Sequence, residues 1–210
     1  MNDTPIDNQV SRRNFLKTSA WLAVVVSTPA IYSCKDDEHG MDDPQACETT
    51  ADILGPYYKP NSPIRENIIP DDDLTEPLRI EGKVFGSCSD LLRDATVEIW
   101  NANADGTYDT SNNFLFRGKF KTTADGVYRF KTIIPGRYLN GGTFRPSHIH
   151  FRITATGYQE LVSQIYFKDD PFIDTDPWAS TTQARERILT VTQDTNGVDI
   201  ITFDIYLNKA

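Results

Sequence analysis

Histidine and cysteine are scarce in this chain, with three of each among 210 residues. His39 lies in a polar linker, far outside the part of the sequence that shows a regular apolar pattern. A metal site made of three imidazoles is therefore not expected. If the remaining pair, His148 and His150, binds a metal ion, the other protein ligands must be oxygen or sulfur atoms.

Positive charge and long apolar runs are also lacking. The chain has 21 Lys and Arg against 30 Asp and Glu, a net charge of -9, which argues against nucleic acid as a partner. No segment after residue 34 approaches the roughly 20 apolar residues that a transmembrane helix needs. An apolar content of 39% and a charged content of 24% are typical of a soluble globular protein, and the length suits one domain after a leader.

Residues 1–34 have the pattern of an export signal. Residues 11–17 (SRRNFLK) match the twin-arginine pattern, and a modest apolar run follows at residues 20–31. The alternative is an amphipathic N-terminal helix that carries basic residues by chance. The run ends in IYSC, which resembles a bacterial lipoprotein cleavage box, so we expect lipid attachment at Cys34. Otherwise the protein is cleaved, and Cys34 is removed or free. The expected location is the periplasm, outer membrane or cell surface, with membrane contact only through the lipid anchor.

The rest of the chain divides into a tether and one domain. Residues 35–48 are acidic and patternless and are interpreted as a tether, and residues 49–210 as a single folded domain. Within the domain, residues 49–77 are rich in Pro and Asp and are expected to form an extended arm. With Cys34 used by lipid, Cys47 and Cys88 are an even pair in an oxidising compartment. Either a disulfide joins them or both are separate buried thiols.

Short alternating apolar runs begin at Leu78 and continue to the end of the chain. They are separated by turn signals such as DG and NG, and they read LRIEGKVF, ATVEIW, FLFRGKFKT, VYRFKTI, SHIHFRITA, LVSQIYF and VDIITFDIYL. In FLFRGKF the phenylalanines at 114, 116 and 120 are expected to share one face of a strand. Only residues 181–189 could form a helix or a helical turn. Many short strands without helical spacing predict an all-β protein, an antiparallel β-sandwich or barrel.

The segment RPSHIHFRI places two imidazoles on one side of a predicted strand. Side chains alternate along a strand, so His148 and His150 point one way while Ile149, Phe151 and Ile153 point the other. One face is therefore apolar and suited to a core, and the opposite face carries a pair of imidazoles that can hold a metal ion. Taken alone, an exposed or hydrogen-bonded pair is an equally good interpretation.

Two tyrosines in loops near strand ends are candidate oxygen ligands. Tyr108 lies in WNANADGTYDT, and Tyr138 lies in PGRYLNGG, a short loop before the histidine pair. A free phenol has a pKa near about 10, so it binds a metal at neutral pH only where a strongly Lewis-acidic ion stabilises the phenolate. Ferric iron does so well, and softer divalent ions do so poorly. Taken alone, Tyr108 would more often be a turn aromatic and Tyr138 a corner tyrosine of a sandwich.

Together these segments resemble the successive signatures of intradiol ring-cleavage dioxygenases. The matching pieces are GPYY (55–58), WNANADGTY (100–108), TADGVYRF (123–130), TIIPGRY (132–138), RPSHIHF (145–151) and LVSQIYF (161–167). The resemblance covers about residues 50–170, in the family's order and near its spacing. The nearest subtype is the protocatechuate 3,4-dioxygenase-like subunit, because no long helical dimerisation segment precedes the sandwich. The resemblance implies an antiparallel β-sandwich with a transthyretin-like Greek-key arrangement.

By position, the resemblance implies a non-haem Fe(III) ion held by Tyr108, Tyr138, His148 and His150, with solvent at a fifth site. Tyr138 corresponds to the phenolate that leaves the iron when a catechol binds. The implied reaction inserts O2 between the two hydroxylated carbons of a catechol-type substrate and gives a muconate-type diacid through a cyclic anhydride. The implied partners are a small catechol and O2, and members of the family often assemble into oligomers.

The resemblance also implies roles for residues around the ligands. Arg145 matches the family's catalytic arginine, a fixed cation placed where charge develops on the ring. Gln164 matches a position that orients a ligand or a water molecule. Tyr57 and Tyr58 either line the substrate pocket or pack the arm on the core, and both interpretations stay open.

Two other functions are compatible with the sequence. The runs ATVEI and DGVYRF also resemble transthyretin-like and carboxypeptidase-regulatory-like sandwiches, which serve as non-catalytic binding modules on the cell envelope. Such modules have no reason to keep four metal ligands together, so the ligand set distinguishes the two classes. The other alternative is a site that binds catecholic compounds or iron without turnover.

Overall fold

The computed structural model describes residues 47–210. The export signal, the lipidation site expected at Cys34 and most of the acidic tether lie outside the described residues. Within residues 47–210 no helix has both the length and the apolar character needed to cross a membrane.

Thirteen β-strands and two short 3₁₀ helices make up the regular structure of residues 47–210. The strands are β1 (Pro77–Gly86), β2 (Asp90–Leu91), β3 (Thr96–Asn101), β4 (Arg117–Lys121), β5 (Val127–Ile133), β6 (Tyr138–Asn140), β7 (Thr143–Arg145), β8 (His148–Thr154), β9 (Leu161–Phe167), β10 (Ile188–Leu189), β11 (Thr192–Gln193), β12 (Asp199–Thr202) and β13 (Ile205–Leu207). The helices are η1 (Ile173–Thr175) and η2 (Thr182–Arg187). The all-β class expected from the alternating runs is confirmed.

The strands form two large sheets and one separate hairpin. In the first sheet β1 is central and pairs antiparallel with β5 and β2 and parallel with β12 and β13, while β11 pairs with β12. The second sheet has the order β10-β9-β8-β3-β4, and β8 is antiparallel to both of its neighbours. β6 and β7 form a two-stranded hairpin. The main ladders are antiparallel, as expected, and the short C-terminal strands add parallel pairs.

The two sheets share one apolar core. Ile80 and Phe130 from the first sheet and Ile99 and Phe151 from the second belong to a single contiguous cluster of buried side chains. Fully burying side chains of this size stabilises the fold by about 1.5–3 kcal/mol each. Since neighbouring residues in a strand alternate faces, the inward residues of β3 and β8 leave a second face on the outer side of this sheet. The functional site is built on that outer face.

The strand expected over FLFRGKF was wrong in its first half, because β4 begins only at Arg117. Phe114 and Phe116 have positive φ angles of 55° and 52°, which break the alternation that a strand requires. Local hydrogen bonds favour a turn instead. The Asp109 carboxylate accepts from the backbone N–H of Leu115 at 2.9 Å, and the Arg65 guanidinium donates to the Phe114 carbonyl. These phenylalanines therefore do not share one strand face with Phe120.

The expected helical turn within residues 181–189 is confirmed by η2. The Thr181 hydroxyl accepts from the Ala184 N–H at 3.2 Å and caps the start of this helix. Beyond it the chain becomes extended again and forms β10, which is parallel to β9.

The arm, residues 49–76, has no regular strand and lies along both sheets. Thr49 N–H donates to the Tyr206 carbonyl, and Asp52 N–H donates to the Val162 carbonyl, so the arm bonds to β13 and β9. A disulfide joins Cys47, just before the arm, to Cys88 after β1, with 5.5 Å between their Cα atoms. The start of the arm is therefore fixed covalently as well as by hydrogen bonds.

Candidate metal centre

The histidine pair lies on the outer face of the second sheet. On β8, Ile149 and Phe151 belong to the core, whereas His148 and His150 point to the opposite side. The pair is not open to solvent, since the two residues are only 2% and 1% exposed. The alternation predicted from the sequence thus puts two imidazoles into a second, covered compartment.

His150 is enclosed from two sides. Trp100 is its direct partner across the β3–β8 ladder and stacks on the imidazole with ring centroids 4.8 Å apart. On the other side the arm approaches with Gly55, whose φ is +73°. A Cβ at this position would lie 3.0 Å from Cε1 of His150. Glycine is therefore required here both by its backbone conformation and by the closeness of the ring.

Two loops bring tyrosines to the same place. Tyr108 lies in the loop between β3 and β4, and Tyr138 is the first residue of β6, directly after the loop that follows β5. The Gly136 N–H donates to the Asn103 carbonyl at 2.8 Å, and a Cβ on Gly106 would overlap the Arg137 carbonyl. Because the two loops pack backbone against backbone, both phenol rings face the histidine pair.

The four rings converge on one point. Tyr108 Oη lies 3.1 Å from Nε2 of His148. The Tyr138 ring centroid is 5.7 Å from that of Tyr108 and 5.6 Å from that of His148, and the two imidazole centroids are 4.9 Å apart. Ligands bound to one ion at about 2.0–2.2 Å and near right angles stand about 3 Å apart, which fits the Tyr108–His148 contact. Among residues 47–210 no group of three His, Cys, Asp or Glu side chains could hold a metal ion, so the tyrosines are needed to complete the set.

The imidazoles are ready to act as ligands. Nδ1 of His148 lies 2.7 Å from the Pro146 carbonyl, which can only accept, so this nitrogen carries the proton and Nε2 has its lone pair free toward Tyr108. Burial, together with the charge of Arg145, lowers the pKa of His148 to about 4. Burial lowers the pKa of His150 as well, although the Ile53 backbone acts in the opposite direction. Both rings are neutral at pH 7.

The tyrosines are poor ligands unless the ion is a strong Lewis acid. Burial raises the pKa of Tyr108, although the charges of Arg145 and Arg117 act in the opposite direction. Burial also raises the pKa of Tyr138, again opposed by Arg145. Without an ion both phenols stay protonated at neutral pH. Two neutral imidazoles and two phenols therefore fit a small, highly charged cation that can displace the phenol protons.

Arg145 is held beside the tyrosines by a buried carboxylate. Nε of Arg145 donates to Oδ2 of Asp176 at 2.8 Å, and the two side chains are only 2% and 1% exposed. Nη2 donates to Oε1 of Gln164 at 3.2 Å, and the Trp178 ring covers the guanidinium face at 4.4 Å. Burial lowers the pKa of Arg145, but the hydrogen bond and charge of Asp176 together with Tyr166 and Tyr138 outweigh this effect, so the net shift of the pKa is upward. The group is a permanent cation in a fixed orientation.

A cavity of about 400 Å³ lies between the arm and the segment that carries Trp178 and η2. Its lining residues are Ala51, Asp52, Ile53, Trp178, Thr181, Gln183 and Arg187. Neither Arg145 nor any of the four rings lines this cavity. The arm reaches the ring cluster through Gln164, the ladder partner of His150, whose Nε2 donates to the Ile53 carbonyl at 2.8 Å.

Comparison with known proteins identifies the family. The sequence profile of the family described as Dioxygenase matches residues 53–209. The chain belongs to the intradiol ring-cleavage dioxygenase family.

Relatives from two branches of this family match the chain. The chlorocatechol 1,2-dioxygenase of Cupriavidus pinatubonensis is 31% identical over 61% of this chain and 58% of its own length. The protocatechuate 3,4-dioxygenase beta chain of Burkholderia cepacia is 34% identical over 66% of this chain and 65% of its own length. The chain therefore spans somewhat less than two thirds of these relatives.

A solved dioxygenase domain has the same fold as this chain over nearly all of its own length. It is the dioxygenase domain of a dioxygenase–carbohydrate-binding protein fusion from the cellulolytic bacterium Streptomyces sp. SirexAA-E. That domain is 33% identical to this chain, with a TM-score of 0.67, and the match covers 78% of this chain and 99% of that domain. The non-catalytic sandwich module is not favoured by any of these matches.

Tyr57 and Tyr58, in the GPYY segment of the arm, pack against different parts of the protein. Tyr57 stacks on Tyr108 with centroids 4.4 Å apart and meets Tyr138 edge-on at 5.9 Å, so it covers both phenol ligand candidates. Tyr58 instead packs on Trp100 at 5.1 Å and donates to the buried Glu98 carboxylate at 3.2 Å. Tyr57 contacts the site itself, whereas Tyr58 fastens the arm to β3.

The acidic residues and the tryptophan that support Arg145 were not predicted from the sequence. Asp176 and Trp178 lie in a segment without apolar periodicity, and Asp52 lies in the patternless arm. Their burial follows only from tertiary contacts, so no local signal was available. Gln164 was singled out, but it contacts Arg145 and the arm rather than one of the four rings.

Proposed function

We propose that this protein is a non-haem Fe(III)-dependent dioxygenase that cleaves a catechol-type aromatic diol between its two hydroxylated carbons. The observation that carries this proposal is the convergence of two neutral imidazoles and two phenols beside a fixed guanidinium. Membership of the intradiol family supports it, and so do the names of the relatives. Both oxygen atoms of O2 would appear in the product, a muconate-type diacid.

Tyr108, Tyr138, His148 and His150 would hold the iron. The ferric ion would stabilise the phenolates, chelate the deprotonated diol and draw electron density from its ring so that the ring reacts with O2. The neutral state of the two imidazoles keeps the positive charge of the site on the ion. His148, His150 and Tyr108 are buried and Tyr138 is partly buried, so little bulk water reaches the four side chains and each electrostatic interaction within the site is strengthened.

Tyr138 is the residue suited to accept a proton from the incoming diol. Its pKa is raised by burial, so its phenolate is a strong base, and it lies on the hairpin rather than on the rigid sheet. Tyr108 is more deeply buried, with its oxygen against Nε2 of His148, and is suited to remain a ligand throughout. The two tyrosines thus have different roles because their burial differs.

Arg145 would act on the ring of the bound substrate. Nε and Nη2 are held by Asp176, Gln164 and Tyr166, and the guanidinium edge toward Tyr138 faces the proposed iron site. A fixed cation at this edge stabilises negative charge that develops on the substrate during oxygen insertion. Since the guanidinium is already oriented, no reorganisation is needed when that charge appears.

The substrate is proposed to be a catechol met outside the cytoplasm. The twin-arginine pattern at residues 11–17 and the lipobox-like IYSC support an exported, lipid-anchored enzyme. The match to a dioxygenase domain from a cellulolytic bacterium is consistent with plant-derived catechols.

Oxygen uptake across a panel of catechols, with iron quantified on the same sample, tests the proposal. We expect about one iron per chain, a red-brown colour from phenolate-to-iron charge transfer, and uptake with at least one catechol. Tyr108→Phe and Tyr138→Phe should each change the visible band, whereas the matched variant Tyr128→Phe should not, because the Tyr128 hydroxyl donates to the Phe203 carbonyl inside the core. Stoichiometric iron without a visible band would contradict the ligand assignment. Iron and colour without turnover of any catechol would favour a binding site.

A further inference from the structure

A chain of buried hydrogen bonds connects the arm to the guanidinium of Arg145. Tyr166, which is 0% exposed, stands in the middle of this chain. Its hydroxyl lies 2.9 Å from Oδ2 of Asp52 on the arm and 3.3 Å from Nη2 of Arg145. The same Asp52 oxygen accepts from Nη1 of Arg187 at 2.7 Å, and both side chains of that ion pair are 2% exposed.

The direction of these hydrogen bonds follows from counting protons. A tyrosine hydroxyl has one proton, and a guanidinium can only donate, so Arg145 must donate to Tyr166. The proton of Tyr166 then goes either to Asp52 at 2.9 Å or to Oε1 of Gln164 at 3.3 Å. The carboxylate is closer and charged, so it takes the proton. Hydrogen-bond donation therefore runs from Arg145 to Tyr166 and from Tyr166 to Asp52.

This chain of hydrogen bonds contacts Nη2 of Arg145, the end of the guanidinium that is otherwise weakly held. The Nε–Asp176 bond of 2.8 Å is a short pivot. Nη2, by contrast, has only longer contacts: 3.2 Å to Gln164, 3.3 Å to Tyr166 and 3.4 Å to the second oxygen of Asp176. Rotation about the pivot is therefore limited by these contacts together. A negative charge at Asp52 polarises the Tyr166 hydroxyl and makes its oxygen a better acceptor.

We propose that Asp52 is a positioning residue for Arg145 and acts through the Tyr166 hydroxyl, so that docking of the arm sets the orientation of the active-site cation. The arm is itself fixed at this point, since the N–H and the hydroxyl of Thr50 both donate to Oε1 of Glu186, each at 2.7 Å. The inference rests on the proposed function in that Arg145 is taken to act on the substrate.

Tyr166→Phe is the first test, because it removes only the hydroxyl and leaves the Asp52–Arg187 pair intact. We expect kcat to fall about tenfold, the effect of losing one hydrogen bond to a charged group. Iron content, the visible band and the anaerobic affinity for a catechol should stay near those of the unmodified enzyme, since no ligand is touched. Tyr128→Phe, an equally buried tyrosine in the core, is the matched control and should retain full kcat. An unchanged kcat in Tyr166→Phe would overturn the proposal.

A double-mutant cycle tests whether Asp52 acts through Tyr166. Asp52→Asn alone should also lower kcat about tenfold, and the double variant should be no slower than Tyr166→Phe, because the path is already broken. If the fold decreases in kcat of the two single variants multiply in the double variant, Asp52 acts by another route, and the proposal is overturned. If Asp52→Asn leaves Arg187 unpaired and fails to fold, Asp52→Asn with Arg187→Gln removes both charges and takes its place in the cycle.

A readout without turnover separates this inference from the proposed function. In full-length protein loaded with Ga(III), a diamagnetic trivalent ion, the ¹⁵N spectrum reports exchange between the two Nη nitrogens of Arg145. Tyr166→Phe should speed this exchange about tenfold, since a hydrogen bond restraining Nη2 is lost. An unchanged exchange rate would refute the positioning role even if the enzyme turns over. Absence of turnover with every catechol would refute the proposed function and leave this measurement valid.

Discussion

The stability cost of unpairing Arg145 can be derived from the structure and tested against a matched surface pair. The Arg145–Asp176 pair has an Nε–Oδ2 distance of 2.8 Å with side chains 2% and 1% exposed. Arg129 and Glu81 have a similar Nε–Oε2 distance of 2.6 Å, but their side chains are 61% and 24% exposed. The two pairs have similar geometry, and Glu81 has a second, partly exposed partner in Arg79 at 3.3 Å, so a smaller cost for losing the charge of Glu81 than that of Asp176 reports burial.

We expect Asp176→Asn to lower the free energy of unfolding by about 3–5 kcal/mol, since a buried guanidinium loses its counter-charge. The amide oxygen that remains can still accept from the backbone N–H groups of Trp178 and Ala179, so the loss is mainly electrostatic. Glu81→Gln should cost less than about 1 kcal/mol, because water screens the exposed partner. Urea unfolding followed by tryptophan fluorescence measures both changes.

A change below about 1 kcal/mol in Asp176→Asn would refute the reasoning, because it would mean that Arg145 is hydrated or finds another counter-charge. A second variant tests the same point in the opposite direction. Arg145→Met with Asp176→Asn removes both charges but keeps an oxygen that accepts from the N–H groups of Trp178 and Ala179, and it should recover most of the lost stability while abolishing turnover. Recovery of stability without recovery of activity would separate the structural cost of the ion pair from the role of the cation.

Three further predictions concern the arm and the metal ligands. Gly55→Ala should weaken iron binding, because the new Cβ would lie 3.0 Å from Cε1 of His150. Gly157→Ala is the control, since Gly157 has a similar φ of +83° but nothing within 4 Å, and this variant should lose only stability. Equal iron content in the two variants would contradict the prediction. Replacing Cys47 and Cys88 by serine should lower the free energy of unfolding by about 2–4 kcal/mol in thermal melts, and a melt unaffected by reductant would argue against the disulfide. The pKa of His148, ordinarily 6.5, is lowered by burial to about 4, so the unfolded chain takes up the proton first as pH falls. Iron-free protein should therefore lose about 3 kcal/mol between pH 6.5 and 4, measured by urea unfolding, and a flat profile would contradict the buried neutral state.

The fold class and the ring cluster were predictable because each rests on a local pattern. Alternation on β8 set His148 and His150 on the face opposite the core, and the order of motifs singled out Tyr108 and Tyr138. Sequence spacing alone did not bring the two tyrosines together. That depends on the contact between the loops at Gly106 and residue 137, where only a residue without a side chain fits.

The support of Arg145 could not be predicted, for a physical reason. Asp176 and Asp52 are acidic residues in polar, patternless segments, and such residues are usually solvated. Their burial becomes favourable only once Arg145 and Arg187 are positioned by β7 and η2, so the pairing is a property of the tertiary structure. The strand predicted over residues 114–116 is absent for a similar reason. Tertiary hydrogen bonds to the Asp109 carboxylate and from the Arg65 guanidinium override the apolar alternation of the sequence.

The distribution of buried charge explains why this compartment suits an ion that makes phenolates. Arg145 and Arg187 each face a buried carboxylate, whereas Arg117, which is 1% exposed, forms no ion pair within residues 47–210. Burial raises the pKa of Tyr108, and both Arg145 and Arg117 lower it. The carboxylates of Asp109 and Glu98 also act on Arg117, so its charge is balanced in part. The two guanidinium groups nevertheless favour the phenolate form of Tyr108, and a centre with anionic oxygen ligands is stabilised by that charge.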